Sequence, residues 1–297
     1  MADPRPPSGG VLTHRRQSMR RGTMPPRDVI NEQYVVAYDI ETIVDEEPAD
    51  GSFPPWPRHR PVAAAFLTAR WTIEGYQFRL ATLMCKPGEE ATFYAKVEQQ
   101  LPAGATGVGF NSRGFDNRVL AIQAMKHVPG FDHAGLARQA FAGRFEGAHC
   151  DLADQFGGLG GARPVALAEI CHALDIPIKT STSGGEVGAL WRARQYGAIR
   201  DYVREDVLAT YLCWLHFIAF VKSDETRITL PLAELAAWLE REPGLAHLRP
   251  FAECRPARVA RVRAPALRAA AALAGAERRV SQDRDGVDFA AGAAIVF

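Results

Sequence analysis

The chain has 297 residues, 47% of them apolar, which allows one sizeable core with appendages but leaves little room for two ordinary domains. Its net charge is +1, with +4 in residues 1–30, +4 in residues 241–297 and therefore −7 between them. A net charge this small produces no overall basic field that would indicate a polyanionic partner, and it does not argue strongly against one. The acidic centre between basic tails suits a metal site built from carboxylates. Two solvated arginine-rich tails with no ligand explain the same charges.

The sequence shows no signal for a membrane or a secretory route. It contains no run of about 18 uncharged apolar residues. The first segment, MADPRPPSGG, lacks the apolar core of a signal peptide. The five cysteines form no CxxC pair, which favours reduced thiols. We therefore expect a cytoplasmic protein with no membrane partner.

The predicted elements begin after an amino-terminal tail. Residues 1–30 are rich in Pro, Gly, Ser and Arg and cannot bury enough apolar surface to offset the entropy of ordering, so the sequence predicts a disordered tail. Three β-branched and aromatic runs then predict an antiparallel meander of strands: YVVAYDI, PVAAAFLTARWT and GYQFRLATLMC. A helix is predicted over about 89–101, and TGVGF supplies a fourth strand.

The next part of the chain predicts one more strand and several helices. FDNRVLAIQAM has apolar residues at helical spacing, AHCDLADQF predicts a fifth strand that runs into a short helix, and VALAEICHALDI predicts an amphipathic helix. A helical apolar stripe over about 196–221 ends the predicted catalytic domain, residues 31–222. Residues 223–297 form an Ala- and Arg-rich extension, predicted to be helical or partly disordered, in which LPLAELAAWLERE is a helix candidate.

Two acidic residues in the first predicted strand can share a ligand. Asp39 and Glu41 are two residues apart, so both carboxylates point to the same face of the strand and can bind one metal. The spacing alone is a weak signal, because Asp45 and Glu47 repeat it in a predicted loop.

Two further acids stand at helical positions. Asp116 begins a predicted helix, where free backbone N–H groups and the helix dipole favour an ionised carboxylate, either as a metal ligand or as a simple first-turn acid. Tyr202 and Asp206 are four residues apart in the long helix and are therefore neighbours on one helical face. They are either two members of one site or a half-buried phenol beside a solvated acid.

Together these residues carry a resemblance. YDIET at 38–42, GFNSRGFD at 109–116 and YVRED at 202–206 resemble, in order and spacing, the three exonuclease motifs of the DEDD superfamily. The chain is similar to stand-alone exonucleases related to the proofreading domain of family B DNA polymerases, in which the second motif reads Asn, a few residues, then Phe-Asp. HCDLADQFG and IPIKTSTSGGEVGALW are also similar to segments of that group, so the resemblance covers roughly residues 34–220.

The resemblance implies an α/β fold with a ribonuclease H-like mixed five-stranded sheet, antiparallel in its first three strands and flanked by helices. It also implies two divalent cations, Mg²⁺ or Mn²⁺, held by Asp39, Glu41, Asp116 and Asp206. The superfamily divides by a Tyr four positions before the last Asp or a His five positions before it. Those positions hold Tyr202 and Asp201 here, so the chain resembles the tyrosine subclass, in which the phenol orients the attacking water.

The implied activity is that of a 3′-5′ exonuclease whose partner is a nucleic acid with a free 3′ end. Single-stranded DNA is the favoured substrate. RNA stays open, because two-metal hydrolysis does not depend on the sugar, and an inactive nucleic-acid-binding module is a second alternative. The candidates for contact with the substrate are Asn111, Phe115, Asp151 and Lys179. Phe115 is alternatively a core residue, Asp151 a helix cap and Lys179 a solvated loop residue.

Overall fold

A computed structural model describes residues 30–46, 48–50, 52–178 and 186–291, with side chains described as far as residue 273. Its centre is one five-stranded sheet of order β3-β2-β1-β4-β5. β1 pairs antiparallel with β2, and β2 with β3, whereas β4 is parallel to both β1 and β5. The strands are β1 (Tyr34–Ile43), β2 (Arg60–Thr72), β3 (Gly75–Met84), β4 (Thr106–Gly109) and β5 (His149–Asp151). The α/β fold class and the antiparallel opening meander are therefore confirmed.

Helices cover both faces of this sheet. They are α1 (Glu90–Gln99), α2 (Asp116–His127), α3 (Ala134–Phe141), α4 (Leu152–Phe156), α5 (Leu167–Ala173), α6 (Val187–Arg192), α7 (Tyr196–Lys222), α8 (Thr226–Arg241), α9 (Arg249–Glu253) and α10 (Arg255–Ala291). The sequence predicted six of these, α1, α2, α4, α5, α7 and α8, close to their observed bounds. It did not separate α3 and α6, whose few turns contain too few apolar positions to show a helical period.

The first strand is apolar on both faces because each face contacts a different core. Val35 and Ala37 pack with α7 and the later helices, whereas Val36, Tyr38 and Ile40 pack with α1 and α2. A strand covered on both sides has an almost continuous apolar run instead of an alternating one. YVVAYDI therefore lies in the middle of the sheet, and so do Asp39 and Glu41, which follow Tyr38 on the same strand.

The core on the α7 side continues beyond residue 222. Leu232, Leu235 and Leu239 of α8 are fully buried in the same cluster as α7, and α8 also contacts β3. Ala257 and Ala260 add α10 to this cluster. The division of the chain at residue 222 remains a prediction, and residues 1–29, which hold nearly all of the predicted tail, lie outside the described residues together with Lys179. Within the described part of the chain, no helix is long and apolar enough to cross a membrane.

The parallel pairing of β1, β4 and β5 determines where functional side chains can meet. The carboxyl ends of these three strands lie at the same edge of the sheet, and the segments that leave them start side by side. The loop after β4 leads into α2, and β5 leads directly into α4. Side chains from three distant stretches of sequence therefore converge near the end of β1.

Candidate active site

Asp39 and Glu41 lie on the same face of β1, as the strand period requires. Ile40 between them points the other way, into the core formed with α1 and α2. The pairing of β1 with β2 shifts register between Glu41 and Thr42, so Glu41 occupies the last regular position before an irregularity. Glu41 is buried, whereas Asp39 keeps part of its surface exposed.

Helix α7 brings the third acid to these two. Oxygen atoms of Asp39, Glu41 and Asp206 all lie within 4.8 Å of one another. Tyr202, one turn earlier on α7, forms a hydrogen bond with Asp206 through its hydroxyl group. Contacts of α7 with β1 and β2 hold this face of the helix against the sheet. The neighbouring positions predicted for Tyr202 and Asp206 are thus observed, and both side chains face the acids of β1.

The fourth acid comes from the loop after β4. Asp116 is the first residue of α2 and is buried. One of its carboxylate oxygens accepts a hydrogen bond from the backbone N–H of Ile40 at 3.2 Å. Its carboxyl group also hydrogen bonds with that of Asp39, an arrangement that requires a proton on one of the two. The structure therefore brings together all four predicted acids.

The electrostatics of this cluster follow from burial and mutual repulsion. Burial raises the pKa of Asp39 and of Glu41 well above their ordinary values, and repulsion from the other acids adds to the effect. Burial also raises the pKa of Asp116 and of Asp206 to about 7. Burial, followed by repulsion from Asp206, raises the pKa of Tyr202 as well. Without a counter-charge the cluster holds protons near neutral pH, and a nearby cation would release them.

The donor set fits divalent cations. Every side-chain ligand atom that these acids offer is a carboxylate oxygen, which suits Mg²⁺ or Mn²⁺ better than a softer metal. The cluster has too much negative charge in too small a volume to be stable when fully ionised, and cations remove this repulsion. Asp39, Glu41 and Asp206 would hold one cation directly, and Asp116 beside Asp39 would complete the set.

Asp151 organises the loop that leads to Asp116. Its carboxylate accepts three backbone hydrogen bonds: from Asn111 at 2.8 Å, from Arg113 at 2.8 Å and from Ala153 at 3.0 Å. The last of these caps α4. Burial raises the pKa of Asp151, and the accepted N–H bonds oppose that rise. The cap predicted as one reading of Asp151 is observed, while contact with substrate remains a prediction.

Asn111 and Phe115 lie at the surface of this loop. Asn111 is exposed and adopts a left-handed backbone conformation, with φ of 56°, which Asn tolerates better than most residues. Phe115 is half-buried against the α1 and α2 core, and its ring lies 4.9 Å from that of His59 and 5.8 Å from that of Phe53. Phe115 is thus partly a core residue and partly accessible beside Asp116.

A buried polar network behind the loop was not identified from the sequence. The Tyr38 hydroxyl donates to Asn117 at 2.6 Å and lies 3.2 Å from Nδ1 of His149, whose Nε2 lies 2.8 Å from the Ser112 hydroxyl. Burial lowers the pKa of His149 to about 3, so this imidazole is neutral. Asn117 follows Asp116, and His149 stands two residues before Asp151. These positions close to predicted acids were the signal in the sequence that could have identified Asn117 and His149.

A groove opens beside the acids. It encloses about 770 Å³ and is lined by Asp39 and Asp116 together with Arg113, Arg118 and Arg144. We call it the arginine groove. Asn111 and Phe115 also line it, so the loop after β4 forms one of its walls. Its volume lies within the range of roughly 300–1,000 Å³ that is typical of small-molecule sites.

Comparison with known proteins identifies a family. Residues 51–254 match the family described as predicted 3′-5′ exonucleases related to the exonuclease domain of PolB. The match begins after β1, so the positions of Asp39 and Glu41 rest on the structure described above. No curated protein matches the chain.

Two solved structures are similar to the chain at low identity. One, a structure of exonuclease I described as suggesting how processivity is achieved, shares 14% identity with a TM-score of 0.36 and covers 61% of this chain. The other, a complex of ExoI with SSB-Ct, shares 15% identity with a TM-score of 0.37 and covers 58%. The chain spans 43% of the length of each.

Proposed function

The chain belongs to the family of predicted 3′-5′ exonucleases related to the exonuclease domain of PolB, and on this basis we propose that it hydrolyses phosphodiester bonds at the 3′ end of single-stranded DNA with two divalent cations. The observation that carries the proposal is the convergence of four acids from β1, α2 and α7. Such a cluster is costly to bury, and cations offset that cost.

The four carboxylates have the task of holding cations. Asp39, Glu41, Asp116 and Asp206 come from elements packed on one sheet, so their spacing is fixed before any ligand arrives. Two cations bound there supply electrostatic stabilisation for the attacking and leaving oxygens of a phosphodiester. The half-buried face of Asp39 borders the arginine groove, which gives a substrate access to the cluster.

Tyr202 acts as a hydrogen-bonding group and not as a general base. Its raised pKa keeps the phenol protonated at neutral pH, and it therefore has a proton to share with Asp206 and a lone pair for a water molecule. We assign it the orientation of the attacking water. Asp201 occupies the neighbouring position, and its carboxylate pairs with Arg200 at 3.2 Å and with Arg204 at 3.7 Å.

The loop between β4 and α2 holds the terminal nucleotide in this proposal. Phe115 offers an aromatic ring next to Asp116, and an unpaired base can stack on such a ring. Asn111 offers an exposed amide on the same loop. The hydrogen bonds that the Asp151 carboxylate accepts from the backbone N–H groups of Asn111 and Arg113 keep the loop in place. We assign Asp151 to loop support and leave direct contact with the nucleotide to Asn111 and Phe115.

Degradation of labelled strands tests the proposal. A 5′-labelled single-stranded DNA should yield a ladder of shortened products with Mg²⁺ or Mn²⁺ and none with EDTA, and a closed circular single strand should remain intact. Asp206→Asn should nearly abolish the ladder in Mg²⁺. Asp45→Asn is the matched control, because Asp45 begins the loop repeat of the same acidic spacing and its side chain is 80% exposed.

Each possible result of this assay distinguishes the proposal from one alternative function. Cutting of the circle would show an endonuclease and would overturn the exonuclease proposal. Degradation of RNA but not DNA would replace the substrate with RNA, whereas the PolB relationship of the family favours DNA. Binding of single strands without any cleavage in Mg²⁺ or Mn²⁺ would show the inactive module.

A further inference from the structure

We propose that the arginine groove is a track for the single-stranded part of the substrate, in which Arg118 and Arg144 bind phosphates of nucleotides that precede the scissile bond. This inference rests on the proposed function and extends it along the strand. It starts from the lining of the groove, which places three guanidinium groups beside the acid cluster.

Arg113 forms part of the wall of the groove, and its guanidinium is occupied by hydrogen bonds within the protein. Its guanidinium donates to the carbonyl oxygens of Ala142, Gly143 and His149, the last at 2.6 Å. Its side chain is 13% exposed. These bonds tie the segment before β5 to the loop that ends at Asp116. Arg113 therefore fixes the shape of the groove and leaves phosphate binding to its neighbours.

The Arg118 guanidinium is held in one orientation, but part of its hydrogen-bonding capacity is unused among the described residues. Its Nε donates to the carbonyl of Arg113 at 3.1 Å, and its guanidinium carbon lies 5.9 Å from the centre of the Phe141 ring. Among the described residues, its two terminal nitrogens have no hydrogen-bond partner. A guanidinium stacked on a ring keeps its edge N–H groups available for a phosphate. Arg118 also stands two positions after Asp116, within reach of the same strand.

Arg144 connects two walls of the groove. It pairs with Asp154 at 3.0 Å and approaches the carbonyl of Leu159 at 3.5 Å, while its side chain is 53% exposed. Arg144 is the exposed member of this pair, and a largely solvated guanidinium loses little interaction energy when it turns from a carboxylate to a phosphate. When Arg144 turns to a phosphate, Asp154 still has Arg113 as a partner, at 3.6 Å.

Exposed apolar side chains accompany these charges. Phe141 is 60% exposed beneath Arg118, and Val165 in the lining of the groove is 47% exposed. Arginines interleaved with accessible aromatic and apolar groups suit an unpaired strand, whose base faces are open to stacking. A duplex hides those faces. The groove therefore fits a single strand better than a double helix.

A length series with matched variants tests the track. Arg118→Gln and Arg144→Gln are compared with Arg263→Gln. This control removes the same charge from a residue as exposed as Arg144, which pairs with Glu225 at 2.7 Å on a different surface. Cleavage is measured on single strands that share one 3′ end and range from a dinucleotide to on the order of 16 nucleotides. Binding is measured in Mg²⁺ by fluorescence anisotropy on the longest strand, made with non-hydrolysable 3′ linkages.

Each groove variant should weaken binding of the long strand about three- to tenfold and reduce the slope of log affinity against log salt by about 0.7. The loss in kcat/KM should grow with strand length, and Arg263→Gln should match the unmodified protein. An equal loss on the dinucleotide and the long strand, or no change in salt slope, would overturn the track.

If the protein cleaves nothing but binds long strands with the predicted arginine dependence, the track stands and the proposed activity fails. If it cleaves and the variants behave as the control does, the activity stands and the track fails.

Discussion

The carboxylate of Asp151 accepts a hydrogen bond from the backbone N–H of Asn111 at 2.8 Å, and so joins the end of β5 to the loop that follows β4. A second N–H from the same loop, that of Arg113, binds the other carboxylate oxygen. The loop ends at Asp116, so the position of that acid depends on a residue from a different strand. A loop held by two charged hydrogen bonds brings Asp116 to the cluster already oriented.

Asp151→Asn should therefore lower both stability and activity. Asn has one acceptor oxygen in place of two, and its amide group would face a backbone N–H that needs an acceptor. Each lost charge-assisted bond should cost about 1.5–3 kcal/mol, and a displaced Asp116 should reduce kcat by up to about 100-fold. Urea unfolding and steady-state cleavage measure the two effects.

The control for this change is Asp132→Asn. Asp132 is exposed and accepts one N–H, from Ala134 at 3.1 Å, at the start of α3. Asn replaces Asp well at such a position, so stability should stay within about 0.5 kcal/mol. Equal behaviour of Asp151→Asn and Asp132→Asn would show that the Asp151 bonds do not support the loop.

The buried network behind the loop gives a second stability prediction. Tyr38→Phe removes the hydroxyl that donates to Asn117 at 2.6 Å, and it leaves a buried amide oxygen without that donor. The cost should be about 1–3 kcal/mol in the free energy of unfolding. Tyr34→Phe is the control: Tyr34 is half-buried and carries the Arg70 guanidinium 5.2 Å above its ring, a contact that Phe retains. A Tyr38→Phe protein as stable as Tyr34→Phe would contradict the role assigned to the network.

The fold and the four acids were predictable because their signals are local or periodic. The apolar run around Tyr38, the two-residue spacing of Asp39 and Glu41 and the four-residue spacing of Tyr202 and Asp206 each follow from one element's geometry. The partnership of Asp151 with the Asn111 loop depends on β4 and β5 lying side by side. That pairing brings together residues far apart in sequence, and one sequence alone gives no direct signal for it.

The arginine groove was equally hidden from the sequence. Arg113, Arg118 and Arg144 share no spacing, and their alignment arises only when α2, the segment before β5 and the turn after α4 meet. The extension after residue 222 illustrates another limit. Its Ala and Arg bias gives no clear apolar period in α10, yet Ala257 and Ala260 are buried against the core. Small residues pack closely without appearing as an apolar stripe.

The raised pKa values of the acids predict a pH-dependent response to metal. In the folded, metal-free protein Asp116 and Asp206 have pKa values of about 7, whereas unfolded Asp has about 3.9. Between these values the folded state binds more protons than the unfolded state, so metal-free stability should fall as pH rises from about 4 to 7. Cations replace those protons, and the stabilisation by Mn²⁺ should therefore be larger at pH 8 than at pH 5.5.

Thermal melting with EDTA or Mn²⁺ at the two pH values checks this prediction. The difference between the melts at each pH removes contributions from groups elsewhere in the protein. For a protein of this size 1 kcal/mol corresponds to roughly 2–4 °C in Tm. Asp206→Asn, which lacks one ligand, should show a smaller metal response at pH 8. The same Mn²⁺ shift at both pH values would show that the buried acids do not exchange protons for a cation.

Tyr202 and Asp206 are neighbours on α7 that the proposed mechanism gives different tasks, and their variants should separate those tasks. Asp206→Asn keeps the shape of the side chain but removes a ligand charge, so activity should nearly vanish and extra Mn²⁺ should restore part of it. Tyr202→Phe keeps the ring and its packing and removes the hydroxyl that orients water. A positioned group of this kind contributes roughly 10²- to 10⁴-fold, and we expect a loss toward or below the lower end because the carboxylates remain in place.

The metal dependence distinguishes the two defects. Because Tyr202→Phe leaves the four carboxylates intact, its Mn²⁺-induced shift in Tm should equal that of the unmodified protein, and extra Mn²⁺ should leave its slow cleavage unchanged. Asp206→Asn should show the opposite behaviour in both measurements, and Asp45→Asn should match the unmodified protein. A well-folded Tyr202→Phe that cleaves at the unmodified rate would make Tyr202 a packing residue alone. The hydrogen bond between the phenol and Asp206 would then have no catalytic consequence, and the attacking water would require a different partner.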